Sequence, residues 1–281
     1  MGSFVKKNNQ VVLIGAGNVA TQLSYALEEA GFSIVQIFSR SIQSAQPLAE
    51  EFKTGFTTSL KEITTEADLY IFAIKDDALP AVIAAMPANK GIWVHTSGSL
   101  PIDLFSGYTD TYGALYPLQT ISKQRETDLS KVYFFVEGNT EHVATALFDI
   151  ADKISGRVRM MTSETRKYLH LAAVFACNFS NHLYVIASQI LEKQGIDWHV
   201  LLPLIDETAH KLYFMHPEQA QTGPAVRDDL SIMALHQSLI DDERTRHLYE
   251  VLSKSIHFQT INKEHINKEH INKEHIIKGQ R

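Results

Sequence analysis

Several features that would mark other classes of protein are scarce in this sequence. Its single cysteine, Cys177, excludes an internal disulfide and a thiolate metal cage. No run of about 18 apolar residues is free of charge, which argues against a transmembrane helix. The first apolar stretch, Val11–Ile14, is too short for a signal peptide, so we expect a cytoplasmic protein.

Basic residues are also in the minority. Lys and Arg number 26 against 32 Asp and Glu, which gives a net charge of −6 at pH 7. Broad affinity for nucleic acid needs a basic surface. The sequence therefore predicts no nucleic-acid partner and, without an apolar span, no membrane partner.

What is present indicates a globular α/β protein. The 281 residues, 44% of them hydrophobic, are enough for one large domain or two smaller ones. Short β-branched runs alternate with helical stretches as far as Met161, and only helical signals follow. The predicted strands are Val11–Gly15, Ser33–Phe38, Leu69–Ile74, Gly91–His95, Thr111–Leu115, Val132–Val136 and Arg157–Met161, and the predicted helices are Ser163–Lys193, Trp198–Phe214, Asp228–Ile240 and Glu243–His257. We expect a doubly wound, mostly parallel sheet over residues 1–160 and a smaller all-α domain over residues 161–260.

Residues 261–281 form a repetitive tail, in which Asn-Lys-Glu-His-Ile occurs three times. A five-residue period matches neither a helix face nor a coiled coil. The histidines His265, His270 and His275 could be metal ligands, but this spacing swings them around a helix instead of aligning them. We therefore expect a solvated tail and no metal site.

A glycine-rich turn follows the first predicted strand with the pattern G-x-G-x-x-A. Gly15 would allow the tight turn, Gly17 would let a pyrophosphate approach the backbone, and Ala20 would let the helix pack on the strand. The amides of Asn18 and Val19 would point at the phosphates from the positive end of the helix. The context of strand, turn and amphipathic helix predicts a Rossmann domain that binds a dinucleotide.

The end of the second strand bears on the choice of nicotinamide cofactor. A carboxylate there would hold the ribose 2′-hydroxyl of NAD, but this sequence has Ser39, Arg40 and Ser41. Hydroxyl donors and a guanidinium suit a 2′-phosphate. The sequence therefore favours NADP over NAD.

The strand that ends at Ile74 should also reach the cofactor edge. Ala73 and Ile74 have the small or apolar side chains that a close cofactor wall requires. Lys75 could contact a phosphate or ribose, or it could be a plain surface charge.

These motifs resemble a known family of NADP oxidoreductases, which join a Rossmann-like N-terminal domain to a helical C-terminal domain of unknown function. The matching motifs are Gly15-Ala16-Gly17-Asn18-Val19-Ala20, His95-Thr96-Ser97-Gly98-Ser99-Leu100, Gly113-Ala114-Leu115-Tyr116-Pro117-Leu118-Gln119-Thr120, His170 to Asn178, and Thr222-Gly223-Pro224-Ala225-Val226-Arg227. More distantly, the domain order is similar to the superfamily of 6-phosphogluconate dehydrogenase, β-hydroxyacid dehydrogenase and pyrroline-5-carboxylate reductase. The resemblance implies an NADP cofactor and a site between the domains, without a settled substrate.

The segment after the strand that ends at His95 resembles the substrate-binding serine loop of β-hydroxyacid dehydrogenases. We expect Ser97, Gly98 and Ser99 to orient and polarise the reacting group, with His95 close to the substrate. The alternative is an ordinary turn that caps the next helix. Gln119 ends a strand on the same sheet edge, where ligands of open α/β sheets collect.

The long predicted helix is apolar nearly all round, as expected for a buried central helix. At 100° per residue, Lys167, His170, Asn178, Asn181 and His182 fall within an arc of about 120°. A polar stripe on a buried helix has to meet a partner, water or a ligand, since burying it unpaired costs about 1–3 kcal/mol per group. Asn178 and His182 are therefore candidate substrate contacts.

In the dehydrogenase superfamily, the corresponding helix carries a catalytic lysine one turn before an asparagine. If Asn178 is that asparagine, the lysine position falls on Val174, so the standard lysine mechanism does not carry over. His170 could transfer the proton instead, although a satisfied core histidine is the alternative, and Lys167 is a weaker candidate. Cys177 fits a small hydrophobe better than a nucleophile.

These residues together predict an NADP-dependent oxidoreductase that acts on a small carbonyl or imine. The resemblance to the family implies a deazaflavin coenzyme as an alternative substrate. Arg227 is a candidate clamp for an anionic substrate, or the partner of a neighbouring aspartate. A non-catalytic NADP sensor or scaffold is the alternative from another class. Because a helical domain of about 100 residues has little core of its own, we also expect a homodimer.

Overall fold

The computed structural model describes the backbone of residues 9–278 and the side chains of residues 9–262. Within that range the chain forms one sheet and a series of helices. The strands are β1 (Gln10–Ile14), β2 (Ser33–Phe38), β3 (Gly55–Thr57), β4 (Leu69–Phe72), β5 (Ile92–His95), β6 (Tyr112–Pro117), β7 (Phe134–Gly138) and β8 (Val158–Met160). The α-helices are α1 (Asn18–Glu29), α2 (Ile42–Glu51), α3 (Leu79–Ala84), α4 (Glu141–Ser155), α5 (Ser163–Ala173), α6 (Ser180–Glu192), α7 (Leu202–His210), α8 (Pro217–Ala220), α9 (Leu230–Leu239) and α10 (Glu243–Lys278).

The sheet has the strand order β3-β2-β1-β4-β5-β6-β7-β8. Neighbouring strands are parallel except for β6 and β7. The chain passes from β1 to β2 on one side and later crosses to β4 on the other side, so the strand order reverses at β1. Ligands of open α/β sheets bind outside the carboxyl ends of the strands at such a reversal. The predicted fold class, a doubly wound and mostly parallel sheet followed by helices, is confirmed.

Both faces of the sheet are covered by helices, which is the arrangement that buries a parallel sheet. Val11 and Leu13 of β1 pack into one core cluster, and Val12 and Ile14 pack into the other. This alternation follows from the two-residue period of a strand. The sequence did not reveal β3, a strand of three residues of which two are exposed.

The chain divides into two compact units between Ser180 and Asn181, whereas the sequence predicted a boundary between residues 160 and 161. Helix α5 therefore belongs to the sheet-containing unit. Thr162 begins this helix by accepting a hydrogen bond from the Thr165 amide, and the fully buried Arg166 binds its first turns to the sheet. Because the buried guanidinium of Arg166 binds Glu137 of β7, α5 packs as part of the sheet-containing unit.

The expectation of a buried central helix is wrong for the single chain. A π-helical segment, Val174–Phe179, joins α5 to α6, and large apolar side chains such as Phe175, Phe179 and Leu183 are exposed. Among the described residues, Ser163–Glu192 is one helix that is long and apolar enough to cross a membrane, with a mean hydropathy of 1.3 over its best window. Length and composition alone do not separate such a span from a helix that packs inside a protein assembly.

Helix α10 continues through the repeated tail to Lys278. The repeat contains neither Gly nor Pro and is rich in Lys and Glu, so a helix that has begun upstream can propagate through it. The side chains of His265, His270 and His275, which the sequence raised as metal ligands, lie outside the described residues.

Candidate functional site

The glycine turn after β1 lies at the reversal of the strand order. Gly15 has a φ of +124°, and a Cβ atom at this position would lie 2.4 Å from the carbonyl oxygen of Ala73. A side chain is therefore excluded where the segments after β1 and β4 approach each other. Around Gly17, in contrast, no described atom beyond its chain neighbours and its own helix lies within 4 Å of the position of a Cβ. The second glycine thus faces open space that a phosphate group can enter.

The N-terminus of α1 has free donors beside this space. Gly17 is the N-cap and supplies no side-chain hydrogen bond, and the first turn carries no acidic residue. The first helical bond runs from the Thr21 amide to the Gly17 carbonyl at 3.0 Å, so it leaves the amides of Asn18 and Val19 outside the helical ladder. An uncapped helix N-terminus attracts an anion.

The segment after β2 lies next to the turn, because the Gly15 amide donates to the Phe38 carbonyl at 2.8 Å. The Ser39 amide donates to the Thr57 carbonyl, and the Ser41 hydroxyl donates to Ser44. Arg40 is exposed, and its guanidinium makes no ion pair with the side chains that the structure describes. Its charge is thus available for a phosphate.

The segment after β4 forms the other side of the turn. The Ala73 amide donates to the Ile14 carbonyl at 2.9 Å, and Ala73 is buried. Ile74 is half-buried, with its Cγ2 atom facing Gly15. Lys75 is exposed. The structure therefore brings the predicted wall residues to the glycine turn.

The Ser97 hydroxyl in the loop after β5 is fully engaged within the protein. It donates to Asp76 at 2.8 Å and accepts the amides of Ser99 and Leu100, each at 3.1 Å. Ser97 thus holds the loop in shape, and a substrate would have to displace Asp76 to receive its proton. The Ser99 side chain is exposed beside it.

His95 lies beneath this loop, away from the position beside the substrate that the sequence suggested. Its side chain is fully buried, its ring stacks on Phe105, and its Nδ1 accepts the Ser97 amide at 3.2 Å. Burial, with the nearby Arg166 charge, lowers the pKa of His95 from 6.5 to about 3. The imidazole is consequently neutral, and its contact with the loop fixes Ser97 from behind.

His170 contacts both the loop after β5 and strand β6. A Cβ atom on Gly98 would lie 2.7 Å from the His170 ring, so only glycine lets the helix approach this closely. The Tyr116 hydroxyl lies 3.1 Å from His170 Nδ1, and the two rings meet edge to face. Burial raises the pKa of Tyr116, against an opposing effect of the Arg166 charge. The tyrosine therefore keeps its proton at neutral pH, and the two side chains form a pair through which a proton can pass.

Arg166, one helical turn before His170, fixes the position of α5. Its guanidinium donates to the Glu137 carboxylate at 2.6 Å and to the Leu100 carbonyl at 2.7 Å. Ser163 joins the same group, since its hydroxyl donates to Glu137 at 2.6 Å and accepts an Arg166 donor at 3.1 Å. These bonds tie α5 to β7 and to the loop after β5, and the guanidinium that makes them is fully buried.

The other predicted site residues of the sheet-containing unit do not join this cluster. Lys167 is at the surface, where its ion pair with Glu164 at 2.7 Å raises its pKa. Gln119 is exposed, and its side chain accepts the Thr120 amide. Asn178 and Cys177 are exposed on the π-helical segment, and His182 and Arg227 are exposed in the second unit. Among the side chains that the structure describes, no three His, Cys, Asp or Glu residues are placed to hold a metal ion.

Two residues of the cluster were not predicted as functional. Tyr116 appeared only as part of a strand-end motif, although its place at the carboxyl edge of the sheet was a usable signal. Arg166 was overlooked because a charged helix residue is normally solvent-facing. Its spacing of four residues from His170 was the signal that both share a helix face.

Comparison with known proteins connects these features to a family. The family described as "NADP oxidoreductase coenzyme F420-dependent" matches residues 10–94, and "Domain of unknown function (DUF2520)" matches residues 132–256. A curated shikimate dehydrogenase (NADP(+)) from Lysinibacillus sphaericus is 34% identical over 56 residues, and the match spans 20% of this chain and 20% of that relative. The chain therefore matches only a fifth of the length of this curated relative.

Solved structures that cover almost the whole chain include a reductase with low sequence identity and a protein with much higher identity. Pyrroline-5-carboxylate reductase from Streptococcus pyogenes has a TM-score of 0.61 at 14% identity, covering 89% of this chain and 98% of its own, and it shares the fold alone. A Bacteroides fragilis protein assigned to the NADP oxidoreductases has a TM-score of 0.83 at 45% identity, covering 88% of this chain and 97% of its own. With this identity over nearly the full length of both proteins, the chain belongs to the NADP oxidoreductase family.

Proposed function

We propose that the protein is an NADP-dependent oxidoreductase that transfers a hydride between the nicotinamide and a small carbonyl or imine substrate. The observation that carries this proposal is the Tyr116–His170 pair, whose hydroxyl and ring nitrogen are 3.1 Å apart. Tyr116 lies on β6, which ends at the same sheet edge as the glycine turn after β1. A proton donor and a dinucleotide turn at one edge are the two parts that a carbonyl or imine reductase needs.

The glycine turn fits the phosphates of a dinucleotide. Gly17 borders open space, and the free amides of Asn18 and Val19 offer donors toward the diphosphate. Arg40, with Ser39 and Ser41, would hold the 2′-phosphate. When bound, the cofactor supplies or accepts the hydride, which no amino-acid side chain can do.

The protein's own part in the reaction is the proton. Because burial raises the pKa of Tyr116, its hydroxyl is protonated at neutral pH and can donate toward a substrate oxygen or nitrogen. A proton carried on His170 Nδ1 can then pass to the phenolate across the 3.1 Å contact, and the imidazole regains a proton from solvent. The exposed Ser99 hydroxyl is positioned on the same loop as Gly98 and would orient the substrate.

The activity can be tested with purified protein and NADPH. Absorbance of the reduced nicotinamide is followed with 2-oxo acids, aldehydes, cyclic imines and a deazaflavin coenzyme as separate acceptors. Oxidation with one class identifies the substrate chemistry, and oxidation with the deazaflavin alone shows that the acceptor is a coenzyme. Tight NADPH binding without turnover in any arm would instead support a sensor, and no binding of either NADPH or NADH would overturn the proposal.

The cofactor preference is tested with Arg40→Gln. A hydrogen bond to a charged group contributes about 1.5–3 kcal/mol, so NADPH affinity should fall about tenfold or more while NADH affinity stays the same. Arg159→Gln, which removes an arginine at the far edge of the sheet, is the matched control. Equal losses for both cofactors would show that Arg40 does not read the 2′-phosphate.

We also propose that the protein is a homodimer that packs through its helical region. Of the large apolar side chains that are exposed among the described residues, four lie before residue 160 and 24 lie between residues 168 and 261. Beyond residue 160, Ala225 is the only described hydrophobic residue that is buried. Exposed apolar surface on this scale is typical of an interface. Light scattering should therefore give about twice the mass of the chain at micromolar concentration, and a monomer would contradict the proposal.

A further inference from the structure

Residues 118–127, here called the crossing segment, run from the end of β6 over the glycine turn and α1. The Asn18 side chain donates to the Ile121 carbonyl at 3.1 Å. The Gln22 amide group donates to the carbonyls of Ser122 and Arg125 at 3.2 and 3.3 Å, and its oxygen accepts the Thr127 amide at 3.1 Å. Gln22 is buried, so these bonds satisfy a polar group that would otherwise be stranded.

Lys123 is the residue by which the crossing segment reaches the turn itself. Its ammonium group donates to the carbonyl oxygen of Ala16 at 2.5 Å, and Ala16 lies between Gly15 and Gly17. The Lys123 side chain is nevertheless exposed. One of its three N–H donors is used by the carbonyl, so the others can face a ligand at the turn.

The turn by itself supplies little positive charge. A helix N-terminus acts as about half an elementary charge, whereas the diphosphate of a dinucleotide carries about two negative charges. A lysine at this point would add a full positive charge. Its ammonium group would then bind an anionic phosphate oxygen in addition to, or in place of, the neutral Ala16 carbonyl. The crossing segment also binds the Asn18 side chain, while the backbone amide of Asn18 stays outside the helical ladder.

We infer that Lys123 is a further cofactor-binding residue, which pairs with the diphosphate of the dinucleotide from the crossing segment. This inference rests on the proposed NADP site. The diphosphate is common to NADPH and NADH, so Lys123 contributes to the binding of both and does not affect the choice between them. Arg40, which the proposed function assigns to the 2′-phosphate, would affect only NADPH.

The test measures the affinities of wild type, Lys123→Met and Lys131→Met for NADPH, NADH and adenosine 2′-monophosphate by calorimetry. Lys131 is the matched control, because it is an exposed lysine after the same segment and pairs with Asp128 at 2.8 Å. Lys123→Met should weaken NADPH and NADH by the same factor of about tenfold or more. Its affinity for adenosine 2′-monophosphate, which has no diphosphate, should equal that of wild type. Lys123→Arg should retain most of the binding.

The outcomes separate this inference from the proposed function. If wild type binds neither dinucleotide, the proposed function fails, and the inference about Lys123 fails with it. If wild type binds both and Lys123→Met behaves like Lys131→Met, the inference is overturned while the proposed function stands. An equal loss for adenosine 2′-monophosphate would also overturn it, since that pattern indicates a distorted turn. Loss for NADPH alone would place Lys123 at the 2′-phosphate and likewise overturn it.

Discussion

Tyr116 and His170 are 54 residues apart in the sequence, and a hydrogen bond of 3.1 Å joins them. Strand β6 supplies the hydroxyl and α5 supplies the ring nitrogen. The hydroxyl is buried and neutral, and the ring nitrogen with which it can exchange a proton is already in place. This preorganised contact distinguishes the pair from a tyrosine and a histidine that meet by chance on a surface.

If the pair transfers the proton, Tyr116→Phe and His170→Ala should each lower kcat about 10²-fold, the lower end of the usual range for acid–base catalysis. NADPH affinity should not change, because neither residue lies in the glycine turn. The double variant should lose little more than either single one, since residues that act as a unit are not additive. Tyr112→Phe, at the other end of β6, is the control. Independent, multiplying losses would show that the two side chains do not act together.

Gly98→Ala tests the close approach of α5. The added methyl group would lie 2.7 Å from the His170 ring, so the ring has to move away from Tyr116. Overpacking of this kind costs about 1–3 kcal/mol of unfolding free energy, and turnover should fall with it. Gly55→Ala places its methyl group in open space and serves as the control. Denaturation and steady-state rates of both variants are compared, and wild-type turnover in Gly98→Ala would show that the contact is dispensable.

Short-range sequence patterns predicted those parts of the site whose residues are contiguous in the chain. The strand, glycine turn and helix around Gly15 and Gly17 are contiguous, so their periodicity and turn chemistry sufficed. The Tyr116–His170 contact depends on how α5 docks on β6, and no short-range pattern encodes that. The predicted polar stripe assumed 100° per residue, but the π-helical turns at Val174–Phe179 break that step between His170 and Asn178.

Arg166→Met should destabilise the sheet-containing unit strongly. The substitution leaves the half-buried Glu137 carboxylate and the Leu100 carbonyl without the fully buried guanidinium that binds them. Removing one member of a buried ion pair costs about 3–5 kcal/mol. Urea unfolding measures this loss, and the double variant Arg166→Met with Glu137→Leu should recover part of it because the unpaired charge is gone. The exposed Arg159→Met should remain close to wild type, and a similarly small loss in Arg166→Met would contradict the anchoring role.

His95 predicts a pH dependence of stability whose sign follows from its lowered pKa. The unfolded histidine titrates near 6.5 and the folded one near 3, so between these values the unfolded chain binds the extra proton. The stabilisation is therefore complete above pH 6.5 and decreases by about 1.4 kcal/mol for each pH unit below it.

In His95→Asn, the side-chain oxygen can still accept the Ser97 amide, but nothing titrates. Urea unfolding between pH 7 and pH 4 should show a shallower decline for His95→Asn than for wild type, whereas the exposed His210→Asn should follow wild type. Parallel curves for wild type and His95→Asn would mean that His95 is already protonated in the folded protein. That result would contradict a neutral His95 ring beneath the loop after β5.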